Sequence, residues 1–450
     1  MASAEQIRKV CDIIMSDNSR RFIVVSAPGK RYPSDIKVTD LLISLSHAVN
    51  SGSDYKDELD AICQRYADIA RQLGVEGNYA DIVQHDLLNR ISNCQNSPKL
   101  LLEALKAAGE DNCAHLLTSY LNSLDIAAEY VNPGEAGLEL IQDERGIHVD
   151  PDSYTRLSKL KNNSTLQIFP GFFAYEKGSK NILTFSRGGS DITGSILSAA
   201  LDVEVYENWT DVDGVYAVNP SLIYEPHPVS ELTYQEMREL AYVGFSVIHE
   251  EALEPVLRAG IPLNIRNTNN PSHRGTRVVA KRIDYDSIVT GISGSKGFTA
   301  LHFSKYLMNR EIGFVANVLK ILADLKIPFE HLPTSIDSVS VIMRDEVLNE
   351  EKERLLKQRL YDELGVKNVK VERGYAIVMI VGDAMAQTVG VAHRAVKALS
   401  SAGINIEFMV QAGSEISLIF GVKEPFCNYA VTELYKTFFA SMPKTPPQRD

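Results

Sequence analysis

The sequence predicts an α/β protein in two parts: a mainly parallel sheet between helices over residues 1–285, then a doubled smaller unit over residues 286–450. Three observations carry this. From about residue 125 to 280, short apolar runs of strand character alternate with helical patterns, which implies a largely parallel sheet covered on both faces. Beyond residue 285 one segment occurs twice: "GFVANVLKILADLKIPFEHLPTSIDSVSVIM" from Gly313 and "GVAHRAVKALSSAGINIEFMVQAGSEISLIF" from Gly390, a spacing that also maps Ile327 onto Ile404 and Val341 onto Leu418. And with 44% hydrophobic and 8% aromatic residues, a chain of 450 residues can bury more than one core.

Taken in order, residues 7–16 read as an amphipathic helix, and "RFIVVSAPG" as an apolar strand closed by a Pro-Gly turn. Residues 37–120 show the three-to-four spacing of helices in "LLISLSHAV", "LDAICQRYADIARQL" and "SPKLLLEALKAAGEDNCAHLLTSYL". Strands follow in "AAEYVNP", "TLQIFPGFF", "DVEVYENWTDV", "IPLNIRNT" and "TRVVA", and helices in "DITGSILSAAL", "TYQEMRELAYVG" and "HEEALEPVLRAG". "YDSIVTGISGSKG" reads as a linker region. Each repeat then reads strand, helix, strand, strand, helix, with its glycine at a strand-to-helix turn. Free N–H groups at such a helix start can hold a carboxylate.

Charge and cysteine usage narrow the function. Lys and Arg number 46 against 58 Asp and Glu, a net charge of −12, which argues against nucleic acid or an anionic membrane as partner. A site for an anionic substrate must therefore concentrate positive charge locally. The cysteines at 11, 63, 94, 113 and 427 form no C-x-x-C pair and are odd in number, as expected of a cytoplasmic protein. The N-terminus has no apolar signal core, and no apolar run is long enough to span a bilayer.

Chemistry concentrates in a few stretches. In "SRGGSD", Arg187 offers a planar fork for a carboxylate. Gly188 and Gly189 let backbone N–H groups approach a ligand. Asp191 stands at a helix start, where it can also be a plain N-cap. In "NWTDVDGVY" an apolar strand runs into Thr210, Asp211 and Asp213, and open parallel sheets bind ligands beyond the carboxyl ends of their strands. The same stretch can be a strand-ending Asx turn. "KAAGED" places Glu110 and Asp111 at a helix opening, where acids serve the dipole. Thr39 in "IKVTDLL" reads as an N-cap. "RNTNNPSHRGT" is a loop with a nucleotide contact as its second reading. His249 reads as a packed or capping histidine without a second ligand at metal spacing.

The order "VVSAPGK…VTDLL", "GED", "PGFF", "SRGGSD", "WTDVDGVY", "IRNTNNP…GT", followed by the doubled unit, resembles aspartate kinase over nearly the whole chain. The resemblance implies an amino-acid kinase fold followed by two ACT units of ferredoxin-like βαββαβ type. It also implies ATP- and Mg²⁺-dependent phosphorylation of the aspartate side chain to 4-phospho-L-aspartate, the first step toward lysine, threonine and methionine, under feedback by an amino acid such as lysine or threonine. Arg187, Gly188, Gly189 and Ser190 would then grip aspartate. Glu110 would pair with its ammonium, and Thr39 would complete the pocket. Asp191 would be the catalytic aspartate, with Arg187 beside it. Thr210, Asp211, Tyr216, Asn269 and Asn270 would lie along ATP; some relatives carry lysine at the first of the two asparagines, from which Asn269 departs. The effector would bind near Met308, Glu311, Gly313, Phe314 and Val315, with Ser335 and Asp337 close by and Glu330 as a further acid for its ammonium. Open sheet edges after about residue 290 would pair two chains into a homodimer.

The same resemblance leads one to expect a strand carrying a lysine and two glycines just before "ASAEQIRKV", where the sequence has Met1. Losing one such cationic donor costs about 10²–10³ in rate. Lys30 and Lys37 are the nearby cations that would have to reach the phosphates instead. Two readings stand: a shortened working kinase, or a non-catalytic amino-acid-binding regulator. The intact substrate-side motifs favour the first. A kinase for another amino acid, such as glutamate, is the third, and the doubled tail argues against it.

Overall fold

The structure, a computed structural model, describes residues 1–440 apart from 95–96, 144–145, 186–187, 246–247 and 412. It opens with α1 (Ala4–Met15), capped by Ser3, whose side chain accepts from Gln6 N. The strand β1 (Phe22–Val25) follows. Next come α2 (Val38–Ser51) and α3 (Lys56–Leu73), which end at Gly52 and Gly74 in the left-handed conformation. Then come α4 (Tyr79–Asn93) and the long α5 (Pro98–Ser123), which starts with proline after a Ser97 cap. Their apolar stripes converge on one core that includes Leu42, Leu45, Ile62, Tyr66, Leu87 and Leu101.

The chain continues through β2 (Ala128–Tyr130), the hairpin β3 (Glu139–Asp143) and β4 (Gly146–Val149), and α6 (Asp152–Leu157). After these come β5 (Leu166–Pro170), β6 (Phe173–Glu176), β7 (Ile182–Thr184), α7 (Gly189–Leu201) and β8 (Tyr206–Thr210). Short strands β9 (Val215–Tyr216), β10 (Pro228–Val229) and β11 (Glu231–Thr233) lead to α8 (Tyr234–Tyr242). The helix α9 (Leu253–Ala259) and strands β12 (Leu263–Asn267) and β13 (Thr276–Val279) complete this half.

Two compact units result: Met1–Val215 with Ser246–Lys281, and Tyr216–Phe245 with Arg282–Asp450. The sequence placed the boundary at 285, so the unexpected part is that residues 216–245 belong with the C-terminal unit. Hydrogen bonds explain it. Ile292 N donates to Ala217 O at 2.7 Å, and Ser293 Oγ donates to Val243 O at 2.8 Å. The α8 capping box is also built into the second unit: Glu236, fully buried, accepts from Thr233 N, Thr290 Oγ1 and Asp383 N.

In the first unit β5 lies between β1 and β2, parallel to both, with Val24 opposite Phe169. The strand β12 runs parallel to β8 and antiparallel to β13. A third sheet has the order β4-β3-β6-β7. The parallel pairings expected of an α/β chain are therefore present, divided among separate ladders.

The second unit holds one antiparallel sheet, formed by β14 (Gly291–Ser304), β15 (Ser338–Arg344), β16 (Lys367–Val381), β17 (Phe408–Gln411) and β18 (Ser417–Lys423) in the order β15-β14-β16-β18-β17. Its helices are α10 (Phe314–Asp324), α11 (Glu350–Leu364), α12 (Val391–Ser401) and α13 (Cys427–Phe439). The supposed linker "GISGSKG" is the first half of β14. Its small residues are needed there, since a Cβ on Gly294 would meet Cys427 Sγ at 2.8 Å. The copies also differ. Where the second has β17, the first has only isolated bridges, His331 to Ile342 and Thr334 to Val339. Pro328 and Pro333 flank that stretch and supply no N–H to a ladder.

Candidate active site

The site is organised by the turn into α7. Asp191 is not the N-cap that was its alternative reading; it lies in the first turn of a helix whose cap is Gly188, at φ 74°. Its Oδ1 accepts from Asn208 Nδ2 at 2.8 Å, and its backbone O accepts from the Tyr206 hydroxyl at 3.1 Å. Burial pushes the Asp191 carboxyl above its ordinary value, while Asn208 and then the nearby His249 pull it back. Tyr206, Asn208 and Thr210 alternate along β8 and so share one face.

The glycines of this turn have protein neighbours. A Cβ on Gly189 would lie 2.5 Å from Phe172 Cδ2 and 3.0 Å from Phe172 Cα. A Cβ on Gly171 would lie 2.6 Å from Ser190 Oγ. The loops "PGFF" and "GGSD" thus interlock, and Phe172 N donates to Thr193 Oγ1 at 3.1 Å to fasten them. The expected Arg187 lies outside the described residues.

Glu110 does not open a helix; it sits in the middle of α5. Gly109 makes this possible, because a Cβ there would come within 2.8 Å of Ala27 Cβ. Ala27 N donates to Glu110 Oε1 at 3.1 Å, while Oε2 is buried and has no partner among the described residues. Burial raises the Glu110 carboxyl to about 8. The same face of Gly109 meets Val38 and Leu42, so α2 crosses α5 beside Glu110. Thr39 is inside the first turn of α2; the cap position belongs to Lys37 and carries no side-chain cap bond. One turn before Glu110, Lys106 bonds Glu103 and Thr184 Oγ1 and lies 5.5 Å from the Phe172 ring.

A cavity of about 500 Å³ opens between β1 and β8, each the end strand of its ladder. Ser190, Asp191, Thr210, Asp211 and Asn269 all line it, so five of the expected residues from three separate sequence stretches meet on one space. Thr210 Oγ1 bonds Asp211 at 3.3 Å. Asn269 Oδ1 accepts from Gln6 Nε2 at 3.1 Å and Lys9 Nζ at 3.3 Å. Asn270 turns to Asp213 at 3.1 Å and is not part of the lining. Tyr216 begins the second compact unit. Lys30 bonds Pro33 O in an exposed loop, and neither it nor Lys37 lines the cavity. Sequence reasoning missed Asn208, Lys106 and Lys9. Only Asn208 left a signal, its alternation with Tyr206 and Thr210.

In the second unit, Gly313 caps α10 at φ 82°. Asp337 Oδ1 accepts from Leu307 N at 2.8 Å, which ties the segment before Met308 to the strand side. Met308 and Phe314 are buried, and Lys305 pairs with Glu311. Ser335 N donates to Ser338 O at 2.8 Å, and Val315 packs at the edge of the core. Glu330 is engaged elsewhere, with the Tyr242 hydroxyl at 2.5 Å and Arg344 at 3.5 Å. A second cavity, about 220 Å³, lies in the other copy, between Met385–Ala392 and Gln411, Glu415 and Leu418.

The Amino acid kinase family model matches residues 1–267, and an ACT domain model matches residues 378–438. Aspartokinase 3 of Bacillus subtilis (strain 168) is 46% identical over 442 residues, covering 98% of this chain and 97% of that protein. The chain belongs to the aspartokinase family. Clostridium acetobutylicum aspartate kinase superposes with a TM-score of 0.85 at 35% identity, covering 97% of each chain. E. coli aspartokinase III, in complex with lysine and aspartate in its T-state, superposes at 0.72 with 25% identity and 97% of each chain covered. As an aspartokinase the chain phosphorylates aspartate and carries ACT-domain regulation. Among the described residues no helix is long and apolar enough to cross a membrane.

Proposed function

We propose that this aspartokinase uses Asp191 as its catalytic carboxylate, on the wall of the 500 Å³ cavity, and takes ATP as donor along Thr210, Asp211 and Asn269. The carrying observation is the convergence of those residues with Ser190 on one cavity while Asn208 fixes Asp191 from behind. Asn270, next to Asn269, extends the nucleotide contact. The aspartate substrate lies toward Glu110, Thr39 and the Gly188–Ser190 turn, with Arg187 on its α-carboxylate. The unpartnered Oε2 of Glu110 takes the ammonium.

The chemistry asks little of a general base. The attacking group is a carboxylate, already ionised near neutral pH, and the difficulty is bringing two anions together. Positioning and cationic stabilisation supply the rate. Among the described residues, Lys106 is a cation on the aspartate side of this arrangement, and Lys9 stands at the Asn269 side. No group of three or more metal-ligating side chains occurs among the described residues. Single carboxylates such as Asp191 and Asp211 suit Mg²⁺ that arrives on the nucleotide's phosphates. Such an ion neutralises phosphate charge.

The C-terminal unit is the feedback sensor, with lysine or threonine as effector and a homodimer as its working form. Support comes from the Asp337–Leu307 tie, which gathers Met308, Gly313 and Asp337 at one helix start. Inhibition then requires different effector affinity for two states of the kinase, about 1–3 kcal/mol of coupling. The product, an acyl phosphate, feeds synthesis of lysine, threonine and methionine in the cytoplasm.

A coupled nucleotide-release assay with a panel of aspartate, glutamate and other acidic amino acids tests the reading. Aspartate-dependent turnover that Asp191→Ala removes is expected. Turnover unaffected by Asp191→Ala overturns the assignment, and aspartate binding without any turnover favours the regulator.

A further inference from the structure

The turn that opens α7 is built around an imidazole. A Cβ on Gly188 would lie 2.5 Å from Cβ and 3.2 Å from Cγ of His249, and 3.4 Å from Oδ2 of Asp191. The ring and the carboxylate therefore flank the same point, and glycine is required there by His249 as well as by its positive φ. Asn208 already occupies Oδ1 of Asp191, so Oδ2 is the oxygen turned to the His249 side. His249 does not cap with its ring; its backbone O accepts from Ala252 N at 3.0 Å. Its Nδ1 is buried and has no hydrogen-bond partner among the described residues. A histidine kept only for packing would leave that nitrogen at a standing cost, which an apolar side chain would avoid.

We propose that His249 is a positioning residue for the phosphoryl transfer: Nδ1–H donates to Asp191 Oδ2 in the complex with aspartate and nucleotide. With Asn208 on the other oxygen, the carboxylate is then held from both sides. This rests on Asp191 being the catalytic carboxylate.

The test compares His249→Asn, His249→Gln and His249→Ala in the full chain. An asparagine amide nitrogen falls near the place of Nδ1, whereas a glutamine amide reaches toward Nε2. His249→Ala is expected to lower kcat about ten- to a hundredfold with little change in the aspartate KM. His249→Asn should restore most of it and His249→Gln should not. Imidazole ¹⁵N NMR gives a reading independent of turnover: addition of aspartate and ADP should shift the Nδ1 resonance of His249 and slow exchange of the proton in its new hydrogen bond. Equal activity of the Asn and Gln variants, or an Nδ1 resonance unmoved by both ligands, overturns the proposal. If His249→Ala fails to fold, the Asn and Gln pair and the spectrum still decide. Asp191→Asn is measured beside them. If it keeps its turnover, the catalytic reading itself falls and takes this proposal with it. If it loses turnover while the His249 variants do not differ, only the role of His249 falls.

Discussion

Asn208 and Asp191 meet through one 2.8 Å hydrogen bond that joins the middle of β8 to the first turn of α7. With nucleotide in the cavity as proposed, phosphate charge would push this carboxylate outward, and the Asn208 amide is what holds it. Asn208→Ala is expected to lower kcat roughly ten- to a hundredfold, as a hydrogen bond to a charged group is worth about 1.5–3 kcal/mol. The aspartate KM should change little, and steady-state kinetics over both substrates checks the split.

Glu110 should make the protein pH-sensitive in an identifiable window. Its folded carboxyl titrates at about 8 against an ordinary 4.5, so between these values the folded state holds a proton that the unfolded chain has released. Its contribution to stability is fully present below 4.5 and is lost as pH rises to about 8, at a limiting slope of about 1.4 kcal/mol per pH unit. Glu110→Gln cannot ionise. Its melting temperature relative to the parent should rise across this window and level off above it. A constant difference from pH 5 to 9 would refute the assignment.

Aspartate binding should show the opposite trend from the same group. The ammonium needs the ionised carboxylate, so affinity should increase with pH up to about 8. Calorimetry in the parent should record proton release on binding below that pH, and Glu110→Gln should lose both the release and most of the affinity.

Glu236 is the anion at the heart of the second unit. It is fully buried, 3.5 Å from Arg282, which is itself 5% exposed. Glu236→Ala leaves that guanidinium without its counter-charge and should cost about 3–5 kcal/mol in denaturant unfolding. A double variant with Arg282→Met should recover part of the loss.

Asp337→Ala should release Leu307 N and loosen the start of α10. Binding of lysine or threonine to the full chain, followed by calorimetry, should weaken about tenfold, while aspartate kinetics without effector stay unchanged.

The sequence showed the alternation of strands and helices, the repeat and its two glycines, because these rest on local periodicity. Positions set by long-range packing were less legible. The acids of "KAAGED" suit a helix opening, yet Glu110 lies mid-helix, and Gly109 before it lets Ala27 approach α5. "GISGSKG" has linker composition, and only its partners Cys427 and Val431 explain why small residues line a buried strand. The hairpin β3–β4 carries a weak apolar pattern and was not anticipated. His249 was set aside for lack of a metal partner, whereas its neighbour is a carboxylate nearly sixty positions earlier in the chain.

The long strands β14 and β16 have a consequence for inheritance. Gly291–Lys296 of β14 pair with Ala376–Val381 of β16, and beyond Phe298 the strand β14 pairs with both β15 and β16. The strand β16 in turn carries β18 of the second copy. The copies therefore share their central ladder, and neither half retains a complete sheet if the chain is cut between them. A recombination event between relatives can exchange this sensor whole, together with residues 216–245 that pack into it, but cannot exchange one copy alone. The duplication that made the repeat is, in this arrangement, no longer reversible by deletion.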